Sequence, residues 1–197
     1  MAGAARTRTI ILVATISPRE RTELQTDRWL AAAATFFAIA VLVHNSDHLR
    51  RGADSVNLDV FWIGTSAIAI EVSLVVLGIM RHRLAALAAM AGGFALAAGY
   101  VITHFLPEHG LLSDSFVSAN DVSPLSWFAA SLEVAAAMTL GITGLIVLRE
   151  RGGLASATRV HNEQSTVRDA VVHPVVVTMI AGNAVILAIS FAQLLSS

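Results

Sequence analysis

Five apolar stretches, at 27–51, 58–80, 84–106, 124–148 and 172–194, divide this sequence. Each approaches the roughly twenty residues that a helix needs to cross a bilayer core of about 30 Å. No other feature restricts the fold so strongly. In hydrocarbon there is no water to pair with exposed amides, so a spanning segment of this length has to bond its own backbone as a helix. Composition agrees: the 197 residues are 55% hydrophobic and only 14% charged, too apolar for one soluble domain to bury. The expected fold class is all-α, a polytopic membrane bundle of five transmembrane helices. Trp29, Trp62 and Trp127 each fall near a span end, where an amphipathic indole settles.

The arginines predict orientation. Arg6, Arg8, Arg19, Arg21, Arg28, Arg81, Arg83, Arg149, Arg151, Arg159 and Arg168 fall on one side, against Arg50 and Arg51 on the other. By the positive-inside rule the N-terminus is cytoplasmic and the C-terminus extracytoplasmic, in a plasma membrane. The opening "RTRTIILVATISPRE" superficially resembles a signal peptide, but its apolar core is at the short limit and no small-x-small site follows; it reads as a basic arm. The expected organisation is an arm at 1–26, a four-helix unit at 27–148, a cytoplasmic linker at 149–171 and a fifth helix at 172–197. Gly92, Gly93, Gly99, Gly141 and Gly144 mark faces where helices can approach closely.

Chemistry is concentrated in "VLVHNSDHLRRG", residues 41–52. Thr26 and Asp27 read as a helix start and Gly52 as its stop, so the first helix runs through this stretch. Positions i, i+3 and i+4 share a helix face, which places His44, Asp47 and His48 together. Counted from Trp29, His44 lies about 22 Å and His48 about 28 Å along the helix, in the outer half of the membrane. The third helix brings His104 to the same level in "YVITHFLPEHG", where Pro107 stops it and leaves Glu108 and His109 in the turn. Glu133 and Glu71 lie about 9 and 13 Å from Trp127 and Trp62, within the fourth and second spans respectively. Ionisable groups at such depth are functional candidates that face the bundle interior.

A weak repeat adds to this. His44, His48, Asp54 and Ser55 align with His104, Glu108, Asp114 and Ser115 at a constant offset, as a duplicated helical hairpin would produce. There is no Cys, so thiolate ligands and iron–sulfur clusters are excluded. Imidazole with carboxylate suits zinc, iron, manganese or copper. The expected metal ligands are therefore His44, Asp47, His48, His104, Glu108 and His109, with Glu71 and Glu133 as catalytic carboxylates. Zinc would acidify a water for attack on a lipid ester or amide, and iron would support oxidation of an alkyl chain. The arrangement is similar at a distance to membrane His-box enzymes such as lipid hydroxylases and alkaline ceramidase-like hydrolases, without the full motif set of either.

Three other classes are compatible with the same residues. His44 and His104 can be read as axial ligands of a b-type haem. Glu71, Glu133 and His44 can be read as a proton or cation path in a transporter. The polar groups can also satisfy one another in an assembly subunit, with helix-end histidines on the helix dipole and Arg50 and Arg51 paired to Asp47 or Asp54. The expected partners are the lipid bilayer, a lipid or small apolar substrate, and copies of the chain or a larger membrane complex. A formal net charge of −1 gives no footing for nucleic acid.

Overall fold

A computed structural model describes residues 18–52, 58–110, 112–152 and 173–196. Among the described residues the protein is all-helical: α1 (Pro18–Arg51), α2 (Leu58–Ile79), α3 (Ala85–Tyr100), α4 (Pro124–Glu150) and α5 (Pro174–Ser196). Helix α3 is prolonged by one π-helical turn, Val101–Phe105. Helices α1 to α4 are each long and apolar enough to cross a membrane, and α5 adds a shorter apolar segment, Pro174–Ile189. Asp54 and Ser55 of the repeat, with Arg159 and Arg168 of the linker, lie outside the described residues.

Helix α1 starts at Pro18, well before the expected Thr26–Asp27 signal. The Thr26 hydroxyl donates to the Glu23 carbonyl inside the helix at 2.9 Å, so it caps nothing. Asp27 is engaged by Arg151 at the far end of α4 and ties the two helices together. The stop signal holds. Gly52 takes φ +90°, and its N–H reaches the carbonyls of His48 and Leu49, the left-handed helix ending that glycine adopts without strain. At the start of α4, Ser123 accepts the Ser126 N–H ahead of Pro124, as a helix cap should.

The bundle packs through small residues. Ala33, Ala34, Ala38, Ala86, Ala89 and Ala137 are buried, while Ile39, Ile70, Phe128 and Ile142 stand on the outside. Lipid is as apolar as a leucine core, so close backbone approach, and not the burial of large side chains, holds such helices together. The α3–α4 contact is the tightest of these. A Cβ on Gly93 would lie 2.5 Å from the Gly141 nitrogen, and one on Gly144 would lie 2.5 Å from the Met90 nitrogen. Gly99 departs from the expected pattern, since nothing lies within 4 Å of the place its Cβ would take. Helix α5 docks on α1, where the Asn45 amide donates to Asn183 Oδ1 at 2.6 Å, the interhelical bond that an asparagine within an apolar span implies.

The C-terminal ends of α1 and α3 and the N-terminal halves of α2 and α4 come to one end of the bundle. The polar side chains gather there.

Candidate metal centre

His44 and His48 stand one turn apart on α1, and their Nε2 atoms are 2.9 Å from each other. His104 arrives from the π-helical turn, its ring centroid 4.9 Å from that of His44 and 5.8 Å from that of His48. One ring nitrogen from each of the three lies within 4.8 Å of the others, close enough to hold one metal ion. His44 and His104 are buried and His48 is half-buried. From α4, the buried Glu133 brings Oε2 to 3.5 Å from His44 Nε2. The donor set is thus imidazole nitrogen with one carboxylate oxygen, a hard-to-borderline set suited to a divalent first-row metal.

Local sequence explains how His104 gets there. A π-helical turn changes the rotation of every residue after it, and such turns recur at functional sites. Pro107 then ends the helix, and Leu106 is already extended. The last carbonyls of a helix need partners, and the following loop supplies them. Asp114 N–H donates to the Thr103 carbonyl at 3.0 Å and Phe116 N–H to the His104 carbonyl at 2.9 Å. This fold-back lays the Asp114 carboxylate 3.4 Å from His104 Nδ1 and its carbonyl oxygen 3.2 Å away. A proton on Nδ1 is held there, which leaves Nε2 of His104 free for the cluster, the usual way a carboxylate orients a metal-binding imidazole. Phe116 is buried against the His104 ring at 4.8 Å between centroids and roofs the cluster.

Arg51 clamps this roof. Its Nη2 reaches Asp114 Oδ2 at 2.8 Å, and its guanidinium lies 5.1 Å from the Phe116 ring centre. Burial alone would raise the Asp114 carboxyl, but hydrogen bonds from His104 and Arg51 overcome it and hold the group well below the usual carboxylate range. A depressed folded-state value stabilises the protein in full above the unfolded value of about 3.9, and that contribution is lost as pH falls through the folded one. The gap in thermal midpoint between wild-type protein and Asp114→Asn, followed in detergent, is therefore expected to stay constant from about pH 5 to 8. A gap that closes on approaching pH 5 would show that this ion pair does not hold the roof.

Arg51 Nη2 also lies 2.8 Å from His48 Nδ1. A guanidinium can only donate, so Nδ1 accepts and the His48 proton sits on Nε2, directed at His44 Nε2. Coordination through His48 Nε2 requires that proton to leave and Arg51 to settle fully on Asp114 and Asp47, which it already meets.

The remaining expected residues divide. Asp47 is buried but faces the arginines: Arg50 donates to its Oδ1 at 2.9 and 2.8 Å, and Arg51 Nε lies 3.4 Å from Oδ2. It braces the end of α1 and is turned away from the cluster. Glu108 and His109 are exposed, because Pro107 carries the chain off the helix axis before they are reached. His109 Nδ1 lies 3.0 Å from its own Pro107 carbonyl, and the Glu108 N–H donates to Ser118 Oγ. Neither joins the histidines. The His44–His104 haem pair fails on distance, since rings whose centroids are 4.9 Å apart leave no room for a macrocycle between them.

Three residues outside the expected set belong to the site: Arg51, Asp114 and Tyr100. The repeat pointed at Asp114, and the i, i+4 spacing from Tyr100 to His104 placed that phenol one turn below. The Tyr100 hydroxyl donates to Glu71 Oε1 at 2.7 Å. Oε2 of Glu71 and Oε2 of Glu133 are buried without a hydrogen-bond partner among the described residues. Both carboxyls, Tyr100 and all three histidines line one cavity of about 380 Å3, whose other walls are mostly apolar side chains of α2, α3 and α5, with Asn45, Thr65 and Thr103 among them. That volume falls in the range of about 300–1,000 Å3 typical of small-molecule sites.

No family model matches the chain, and neither a curated protein nor a solved structure shows significant similarity to it.

Proposed function

We propose that this membrane protein holds one divalent transition metal on His44, His48, His104 and Glu133, and uses it to hydrolyse a lipid or small apolar ester or amide. The observation that carries this reading is the convergence of three ring nitrogens within 4.8 Å, with an unpartnered carboxylate oxygen beside them. A buried imidazole cluster without a ligand leaves polar atoms unsatisfied, which costs stability unless something binds there.

The metal supplies Lewis acidity and a more acidic water. The chain supplies the rest. Glu71, oriented by the Tyr100 hydroxyl, is the general base that takes the proton of the attacking water and returns it to the departing alcohol or amine. Asp114 and Arg51 hold His104 and close the cluster to water from the loop side. The arginine distribution supports placing this end outside a plasma membrane, with the N-terminus in the cytoplasm.

Purified protein is expected to carry a stoichiometric divalent metal by elemental analysis, with no strong visible absorption if the ion is zinc. A protein free of metal after growth with zinc, iron, manganese and copper supplied would overturn this reading. A second reading rests on the His48–His44–Glu133 string, in which each group lies within 3.5 Å of the next. Such a string can pass protons, and metal-free protein showing proton flux in vesicles would select it.

A further inference from the structure

We infer that the cavity takes a single-chain, uncharged lipid, which enters sideways from the bilayer through a gap between α2 and α3 bordered by Gly64 and Gly99. This rests on reading the cavity as the substrate site, and extends it to the substrate's class and route.

The route follows from what is closed and what is open. On the loop side, Phe116 and Arg51 cover the histidines. Between α2 and α3 the wall is thin. Gly64 and Gly99 line the cavity, are exposed, and would each place a Cβ in open space. Their neighbours Ile63 and Ile102 line it too, yet are 52% and 44% exposed on the bundle exterior. Elsewhere in α3 and α4, Gly93 and Gly144 face neighbouring backbone and Gly92 and Gly141 face the side chains of Leu74 and Phe94; Gly64 and Gly99 have nothing within 4 Å of the place a Cβ would take. A face of this kind, within apolar spans, opens onto acyl chains and not onto water.

The class follows from the lining. Most of the cavity is hydrocarbon, from Phe61 and Ile68 on α2, Leu96 on α3 and Leu187 on α5. Its volume suits one chain better than the two of a bilayer phospholipid. At the inner end stand the unpartnered Oε2 atoms of Glu71 and Glu133, both nine-tenths buried or more. No arginine lines the cavity among the described residues, since Arg51 is turned to Asp47, Asp114 and His48. The two charges of a divalent ion are matched by two carboxylates. Among the described residues a phosphate or sulfonate head would find no free guanidinium there, whereas a hydroxyl or amide N–H can donate to the carboxyls and an ester or amide carbonyl can accept from the Tyr100 phenol.

The test uses full-length protein in phosphatidylcholine vesicles with a hexadecanol probe bearing a diazirine on its chain. Photolysis is expected to label cavity residues such as Phe61, Leu96 and Leu187. A glycerol monoester should compete, and hexadecyl sulfonate should not. In the Gly64→Leu/Gly99→Leu variant, with unchanged metal content and thermal midpoint, labelling is expected to fall about tenfold, a decade corresponding to about 1.4 kcal/mol. The alanine pair at the same positions should label almost as wild type and controls for folding. Labelling confined to outer residues such as Ile39 and Ile142, labelling unaffected by the leucines, or equal competition by the sulfonate would each overturn the proposal. Metal content is read separately, so a metal-free protein that still labels sinks the hydrolase reading alone.

Discussion

His104→Ala is expected to strip the protein of its metal, to below about a tenth of the wild-type content, while leaving it folded. Two losses coincide in this variant. One of the three imidazoles goes, and Asp114 loses the ring it orients, so the two α1 histidines and Glu133 are left as an incomplete shell. The helix itself does not depend on the ring: its end is held by the Thr103 and His104 carbonyls, which accept backbone N–H groups and survive the substitution. Elemental analysis beside thermal unfolding separates the two effects. The companion variant Glu108→Ala/His109→Ala should keep its metal, because both side chains are exposed beyond Pro107. Metal retained in His104→Ala, or lost from the Glu108/His109 pair, would show that the ligand set is wrongly drawn.

Gly144→Leu is expected to be the most damaging substitution to the fold, costing about 3 kcal/mol, the upper end of what overpacking does. The added Cβ would lie 2.5 Å from the Met90 nitrogen and 2.6 Å from the Ala86 carbonyl oxygen. Both are backbone atoms, which cannot rotate aside as a side chain can. Helices α3 and α4 would have to part, and with them His104 and Glu133, so metal affinity should fall along with stability. Unfolding in mixed micelles measures the first effect and metal titration the second. Gly99→Leu, on α3 but at the open gap towards α2, should leave the unfolding transition nearly unmoved. Equal losses at both positions would mean that the α3–α4 approach is not what secures the bundle.

Much of this architecture was readable along the chain. Span length and the Gly52 stop follow from local rules, because each depends on a few neighbouring residues. The His44–His48 pair was readable for the same reason, since a helix of known period fixes which residues share a face. Spacing alone cannot say how sharply Pro107 turns the chain, and so could not show that Glu108 and His109 end exposed and away from the histidines. Thr26 and Asp27 look like a cap, yet Asp27 pairs across the bundle with Arg151, a partner more than a hundred positions away.

The amino-acid order by itself determined that the chain is a bundle of apolar helices, and which short segments carry imidazole and carboxylate at one end of it. It did so because backbone pairing in lipid leaves a helix as the one option for segments of this kind. Only the tertiary structure decided which of those groups meet. In a membrane bundle the lipid-facing and core-facing sides are equally apolar, so hydrophobic period does not encode helix rotation. Rotation is settled by where backbones can touch, at Gly93, Gly141 and Gly144, and by a loop that folds back to satisfy the carbonyls of Thr103 and His104. Those contacts turn Tyr100, Glu133 and His104 inward and bring Asp114 to the site.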